Sequence, residues 1–208
     1  MSVAEPPADA YREAIDHLAT LDPDWARHIA AVGPCLHRAT PGREPYEALV
    51  RAIAHQQLHG RAAEAILGRL LALFPGVAFP QPEQMLALSP ETLRACGFSA
   101  SKLATLQGIA RARLEGLIPS RHEALEMDDE GLIERLVALH GVGRWTVEML
   151  LIYCLERPDI LPVDDFGVRA GYRRLKGLDK PPTPAQLRAL GAAWSPFRTV
   201  AAWYLWRA

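Results

Sequence analysis

Two short segments combine residue types and spacings that could do chemistry. The first is Leu161-Pro162-Val163-Asp164-Asp165-Phe166-Gly167-Val168-Arg169, a carboxylate pair placed directly before a helical pattern. A carboxylate at a helix N-terminus accepts first-turn N–H bonds and stays ionised at neutral pH, so capping and chemistry do not exclude each other. Such a group can stabilise cationic charge developing at a sugar carbon, or deprotonate a water. Capping alone would also explain the pair. The second segment is Leu139-His140-Gly141-Val142-Gly143-Arg144-Trp145-Thr146, where one helical pattern runs through a Gly-Val-Gly turn into another. Two glycines there permit backbone conformations that other residues resist and let a second backbone come close. The amides opening the following helix then converge at the positive end of its dipole, a site suited to a phosphate. Taken alone, Gly-x-Gly is equally the mark of a plain tight turn.

Helical elements must position both segments. Tyr11, Ile15, Leu18 and Leu21 repeat at three or four residues, Leu49, Val50, Ile53 and Ala54 do the same over Tyr46–His59, and Gly60–Phe74 continues the pattern. Ser89-Pro90-Glu91-Thr92 reads as a cap, a proline at the first helical position and an acidic first turn, with Gly97 as the stop. Ser99 or Ser101 opens a helix ending near Gly116, Asp128 and Asp129 open another, and Thr146–Leu155 is apolar enough to be central. Helices are further predicted from about Asp165 to Leu175, over Thr183–Trp194 and over Pro196–Arg207. Alternating β-branched runs with hairpin turns are absent, so the expected class is all-α with about ten helices.

The bulk properties narrow the function. The chain has 208 residues, 50% hydrophobic, with a formal net charge of −1, which excludes global disorder and any extended basic surface. The charge is uneven: residues 161–208 carry eight Lys/Arg against three acids, net +5, and residues 1–160 are net −6, so a local polyanion site stays open. No apolar run approaches the ~20 residues of a membrane helix, and residues 1–30 show no apolar signal core, so a cytoplasmic location is expected. Cys35, Cys96 and Cys154 are far apart and odd in number, which predicts reduced, buried thiols and neither zinc nor an iron–sulfur cluster.

The Gly-Val-Gly turn, the apolar helix and the Pro-Val-Asp-Asp helix start are together far more specific than any one of them. This combination resembles the helix-hairpin-helix superfamily of DNA base-excision glycosylases, and within it the alkylation-repair branch of 3-methyladenine DNA glycosylase II type. The likeness runs from about Tyr46 to Arg207 and includes Arg51-Ala52-Ile53-Ala54-His55-Gln56-Gln57-Leu58, Gly97-Phe98-Ser99 with Lys102, and Trp194-Ser195-Pro196-Phe197-Arg198. It implies two lobes with a cleft between them: a helix-hairpin-helix lobe of about 46–158, and a second lobe from 1–45 plus 159–208. An ungapped match puts the family's essential aspartate at Asp165, with Asp164 capping or positioning. Where strand-cleaving relatives place a Schiff-base lysine after the hairpin, this chain has Trp145, which implies a monofunctional enzyme.

The same resemblance assigns the remaining site residues. Gly141, Val142 and Gly143, with Arg144 and Thr146, are expected to hold a backbone phosphate of double-stranded DNA. Trp145, Trp206, Tyr153 and Phe166 are expected to line a base pocket, because an alkylated purine is cationic and favours aromatic faces. Gln57 or Leu58 is the expected wedge filling the gap left by a flipped base, with His59 as a minor-groove contact. Trp194 and Trp203 are expected in the core. No cofactor is implied beyond a possible monovalent cation on the Leu139 and Val142 carbonyls, and the expected state is a monomer. Two other readings remain open: a glycosylase for an oxidised or mismatched base, and a non-catalytic helix-hairpin-helix DNA-binding module.

Overall fold

The structure is a computed structural model that describes residues 11–40, 42–58 and 60–208. Every regular element among them is helical. In chain order these are α1 (Arg12–Leu21), α2 (Pro23–Val32), α3 (Pro45–His55), α4 (Gly60–Ala72), α5 (Pro82–Leu86), α6 (Pro90–Cys96), α7 (Ala100–Leu114), α8 (Arg121–Glu126), α9 (Asp129–Val137), α10 (Arg144–Tyr153), α11 (Phe166–Leu175), α12 (Pro184–Leu190) and α13 (Arg198–Leu205), with a 3-10 turn at Gly191–Trp194. The count exceeds the expected ten through α2, α5 and α8. Asp22 stops α1 in extended backbone and caps α2 through the Asp24 and Trp25 amides, so two helices stand where one was expected. The other two are short and begin with a capping box, Gln81 with Gln84 and Ser120 with Glu123.

The chain divides into two compact units, Thr40–Leu155 and the residues up to Ala39 together with Glu156–Ala208. In the first unit α3 is apolar almost all round, with Leu49, Val50, Ile53 and Ala54 fully buried, and α7 and α10 pack on it. Burying each such Leu or Ile stabilises the unit by roughly 1.5–3 kcal/mol. Gly97 ends α6 in the left-handed region at φ 106°, and Ser99 then caps α7 through the Lys102 amide. That places Lys102 in the first turn of α7.

The second unit gathers Leu18, Trp25, Val168, Tyr172, Leu187, Trp194, Trp203 and Tyr204 into one core, where Trp25 meets Trp194 edge-on at 5.4 Å. Trp194 and Trp203 are therefore core residues, as expected. α13 begins at Arg198 and not at Pro196. Its start is pinned by Asp159, whose carboxylate accepts from the Ser195 hydroxyl at 2.7 Å and from the Arg198 amide at 3.2 Å, Nε at 2.7 Å and Nη2 at 2.9 Å. α12 stops at Leu190, short of the predicted Trp194, where the backbone tightens into the 3-10 turn as Gly191 passes against Leu161. None of the helices among the described residues is long and apolar enough to cross a membrane.

Candidate active site

Asp165 is the N-cap of α11. Its Oδ1 accepts the Val168 amide at 2.8 Å and the Trp206 indole N–H at 3.0 Å. Two features bring Trp206 there. It lies just beyond α13, and α13 runs unusually close to α11 because Gly171 has no side chain: a Cβ there would sit 1.8 Å from the Leu205 carbonyl oxygen. One turn earlier, a Cβ on Gly167 would sit 2.9 Å from Trp206 Cδ1 and 3.0 Å from Asp165 Oδ1. The pair Gly167 and Gly171, four apart on one helical face, thus lets the indole reach the carboxylate. Asp165 is half-buried and held from two sides, at the positive end of the α11 dipole. Asp164 is exposed and Asp165, not Asp164, makes the cap. Phe166, next in the chain, is 76% exposed.

The hairpin joins α9 to α10. Its turn is closed by the Val142 amide on the Leu139 carbonyl at 3.0 Å, and the Val142 side chain is buried as an anchor. Gly141 adopts φ 78°, and a Cβ on it would lie 2.0 Å from Thr105 Oγ1, so both its backbone and its packing demand glycine. Gly143 differs. It is the N-cap of α10 with φ −96°, and no heavy atom stands within 4 Å of its would-be Cβ. No side chain caps α10, so its N-terminus is open to an outside anion.

Two residues expected in this grip behave differently in the structure. Thr146 is 1% exposed and its hydroxyl accepts from Gln56 Nε2 at 3.0 Å, so its side chain faces inward and ties the hairpin to the α3–α4 loop. Arg144 gives Nη1 and Nη2 to the Glu130 carboxylate and Nε to Glu148 at 3.1 Å, and these partners hold its guanidinium more firmly protonated than usual. Its charge is matched within the unit, which leaves the backbone amides to attract an anion.

The residues expected as the wedge lie in the α3–α4 loop. Gln57 is exposed with φ 57°, a left-handed conformation uncommon for glutamine, and Leu58 is 40% exposed with its amide on the His55 carbonyl at 3.2 Å. His59 lies outside the described residues. Trp145, in the first turn of α10, and Tyr153, at its end, are half-buried, as is Trp206. The three cysteines are buried and free, and burial pushes the Cys35 and Cys154 thiols up to about 11, so they remain protonated.

A Gly-x-Gly hairpin with an uncapped helix start, an exposed loop tied to it and an aspartate capping a later helix are the features of a helix-hairpin-helix DNA repair protein. The HhH-GPD superfamily base excision DNA repair proteins match residues 50–196, and the chain belongs to that superfamily. It is 47% identical over 192 residues to DNA-3-methyladenine glycosylase 1 of Schizosaccharomyces pombe, covering 92% of this chain and 84% of that one. It is 37% identical to the alkylbase DNA glycosidase-like protein mag2 of the same organism, over 95% of this chain and 93% of that one. The solved structure of the S. pombe 3-methyladenine DNA glycosylase Mag1 in complex with abasic DNA superposes with a TM-score of 0.91 over 94% of this chain and 95% of that one.

Proposed function

We propose that the protein is a monofunctional DNA glycosylase that releases alkylated purines, of the 3-methyladenine and 7-methylguanine type, from duplex DNA by base flipping. The observation that carries this reading is the Asp165 carboxylate, fixed by the Val168 amide and the Trp206 indole in a chain of this superfamily. A protein that only bound DNA would gain nothing from an anchored carboxylate near an anionic backbone, since the repulsion weakens binding.

The open N-terminus of α10 holds a backbone phosphate, and Gly143 keeps the approach clear. Leu58 or Gln57 fills the gap in the base stack. Alkylation has already made the base cationic and its glycosidic bond weak. As that bond breaks, its electron pair leaves with the base, which departs neutral, and the sugar becomes oxocarbenium-like. The Asp165 carboxylate stabilises that charge and directs water to the sugar carbon, accepting the water's proton as its oxygen bonds and passing it on to solvent. Phe166 and Trp206, beside Asp165, offer aromatic faces to the cationic base. Trp145 has no amine, so a Schiff base cannot form at the position after the hairpin. The Leu139 and Val142 carbonyls would offer a monovalent cation two neutral oxygen donors at the turn, where the Leu139 carbonyl also accepts the Val142 amide at 3.0 Å.

The test is release of 3-methyladenine from methylated DNA, resolved by product. The parent protein should release free base and leave an abasic strand uncut, and Asp165→Asn should abolish release while still binding an abasic-site duplex. A parent that releases no base, or an Asp165→Asn variant that is fully active, defeats the assignment.

A further inference from the structure

Between the wedge loop and the hairpin lies a set of polar contacts that the chemistry at Asp165 does not use. Gln56 is the C-cap of α3, one residue before Gln57. Its side-chain amide crosses about ninety residues of sequence to donate to Thr146 Oγ1 at 3.0 Å and to the Gly141 carbonyl at 3.3 Å. The same residue is held from behind. Lys102, in the first turn of α7, gives its ammonium to the Ala54 carbonyl at 3.0 Å and the Gln56 carbonyl at 2.8 Å, at the negative end of α3. Thr105, one turn further along α7, fills the space beneath Gly141. The two sides of the hairpin base and the root of the wedge loop are thus fastened to one another and to α7.

We propose that Gln56, backed by Lys102, is a positioning residue for base flipping: it fixes the distance between the phosphate held at the α10 N-terminus and the wedge at Gln57–Leu58. This rests on the glycosylase reading above. The geometry explains why Gln57 is kept in left-handed backbone, a conformation that costs energy for a non-glycine residue and persists where its surroundings determine it. It also explains why Thr146 faces inward. A grip and a wedge on independent segments would let bound DNA relax away from the wedge. Joined through Gln56, the energy of holding the phosphate is directed into the base stack. The wedge sits on a short loop whose root is tied to α7 and α10, the arrangement that keeps an inserted side chain in register.

The experiment uses the full chain. Gln56→Met keeps the volume of the side chain and removes its donor. Single-turnover release of 3-methyladenine is measured for Gln56→Met, Leu58→Ala and the double variant, with 2-aminopurine placed next to the lesion to report unstacking. Gln56→Met should slow release about tenfold or more and reduce the 2-aminopurine signal in parallel, while its affinity for undamaged duplex stays within about twofold of the parent. In the Leu58→Ala background Gln56→Met should add little, because both changes disable the same step. Parent-like release by Gln56→Met, or effects of the two substitutions that multiply in full, overturns the proposal. If Gln56→Met does not fold, Thr146→Val and Thr146→Ser replace it: Val should reproduce the loss and Ser should not, and equal activity of the two overturns the proposal. A parent protein that releases no base from methylated DNA refutes the glycosylase reading itself, whereas an active parent with an indifferent Gln56 refutes only this inference.

Discussion

Replacing Gly171 by alanine puts a methyl group where the structure has no room, far from any reacting atom, and should harm both stability and catalysis. The new Cβ would stand 1.8 Å from the Leu205 carbonyl oxygen, 2.6 Å from its carbon and 3.1 Å from its Cα. A relaxed carbon-to-oxygen contact is about 3.3 Å, so α11 and α13 must separate by roughly 1.5 Å at this crossing. The obstacle is backbone, which cannot rotate away. Overpacking of this kind costs about 3 kcal/mol, at the upper end of the usual range. The better helix propensity of alanine returns about 1 kcal/mol. A net loss of about 2 kcal/mol should lower Tm by roughly 4–8 °C for a chain of this size. The same separation carries the Trp206 indole away from Asp165 Oδ1, now 3.0 Å distant, to beyond hydrogen-bond range. Base release should therefore fall together with Tm. Gly108→Ala in α7 is the control: nothing stands within 4 Å of its added Cβ, and it should raise Tm by a few degrees. A Gly171→Ala protein that melts at or above the parent would show that α11 and α13 do not meet as described.

Gly143→Ala adds a methyl to open space at an unstrained φ of −96°, so its melting temperature should stay within about 3 °C of the parent; affinity for duplex DNA should nevertheless drop several-fold, read by fluorescence anisotropy, because the methyl obstructs the phosphate, and unchanged affinity would remove Gly143 from the interface. Burial pushes the Asp159 carboxyl up, but hydrogen bonds from Arg198 and Ser195 outweigh it and hold its pKa below that of a free aspartate. A depressed folded-state pKa means stability that is fully present above the unfolded value and lost as pH falls through the folded one. Asp159→Asn should therefore cost about 1 kcal/mol at pH 7, and the gap in Tm from the parent should close as pH falls through the depressed folded-state value; a gap independent of pH contradicts the ion pair as the cause.

Much of the site could be read from local spacing because capping is a local interaction. Asp165 before Phe166–Leu175, Ser89 before Pro90 and Thr183 before Pro184 all cap the helices that their sequence context predicts. The Arg144–Glu148 pair is likewise visible as an i, i+4 spacing. The contacts from Gln56 to Thr146 and from Lys102 to the end of α3 join residues far apart in the chain, and no local pattern marks them. The match of Arg144 to Glu130 is hidden for the same reason. Gly167 and Gly171 occupy a middle ground: their spacing of four signals a close approach on one helical face, but only the fold shows that α13 and Trp206 make it.

The distribution of charge now has a physical explanation. A net charge of −1 argues against an extended basic surface, and the basic side chain nearest the hairpin turn is already matched by Glu130 and Glu148. The proposed phosphate grip instead lies in the hairpin's backbone, at a helix start that no side chain caps and beside a glycine whose missing Cβ faces open space. Backbone dipoles attract a phosphate only at close range and in one orientation, whereas a lysine cluster would attract any phosphate from a distance. On the proposed mechanism that choice suits the chemistry at Asp165. A strongly cationic face around Asp165 would stabilise the carboxylate but would oppose the cationic charge that the carboxylate has to meet in the sugar.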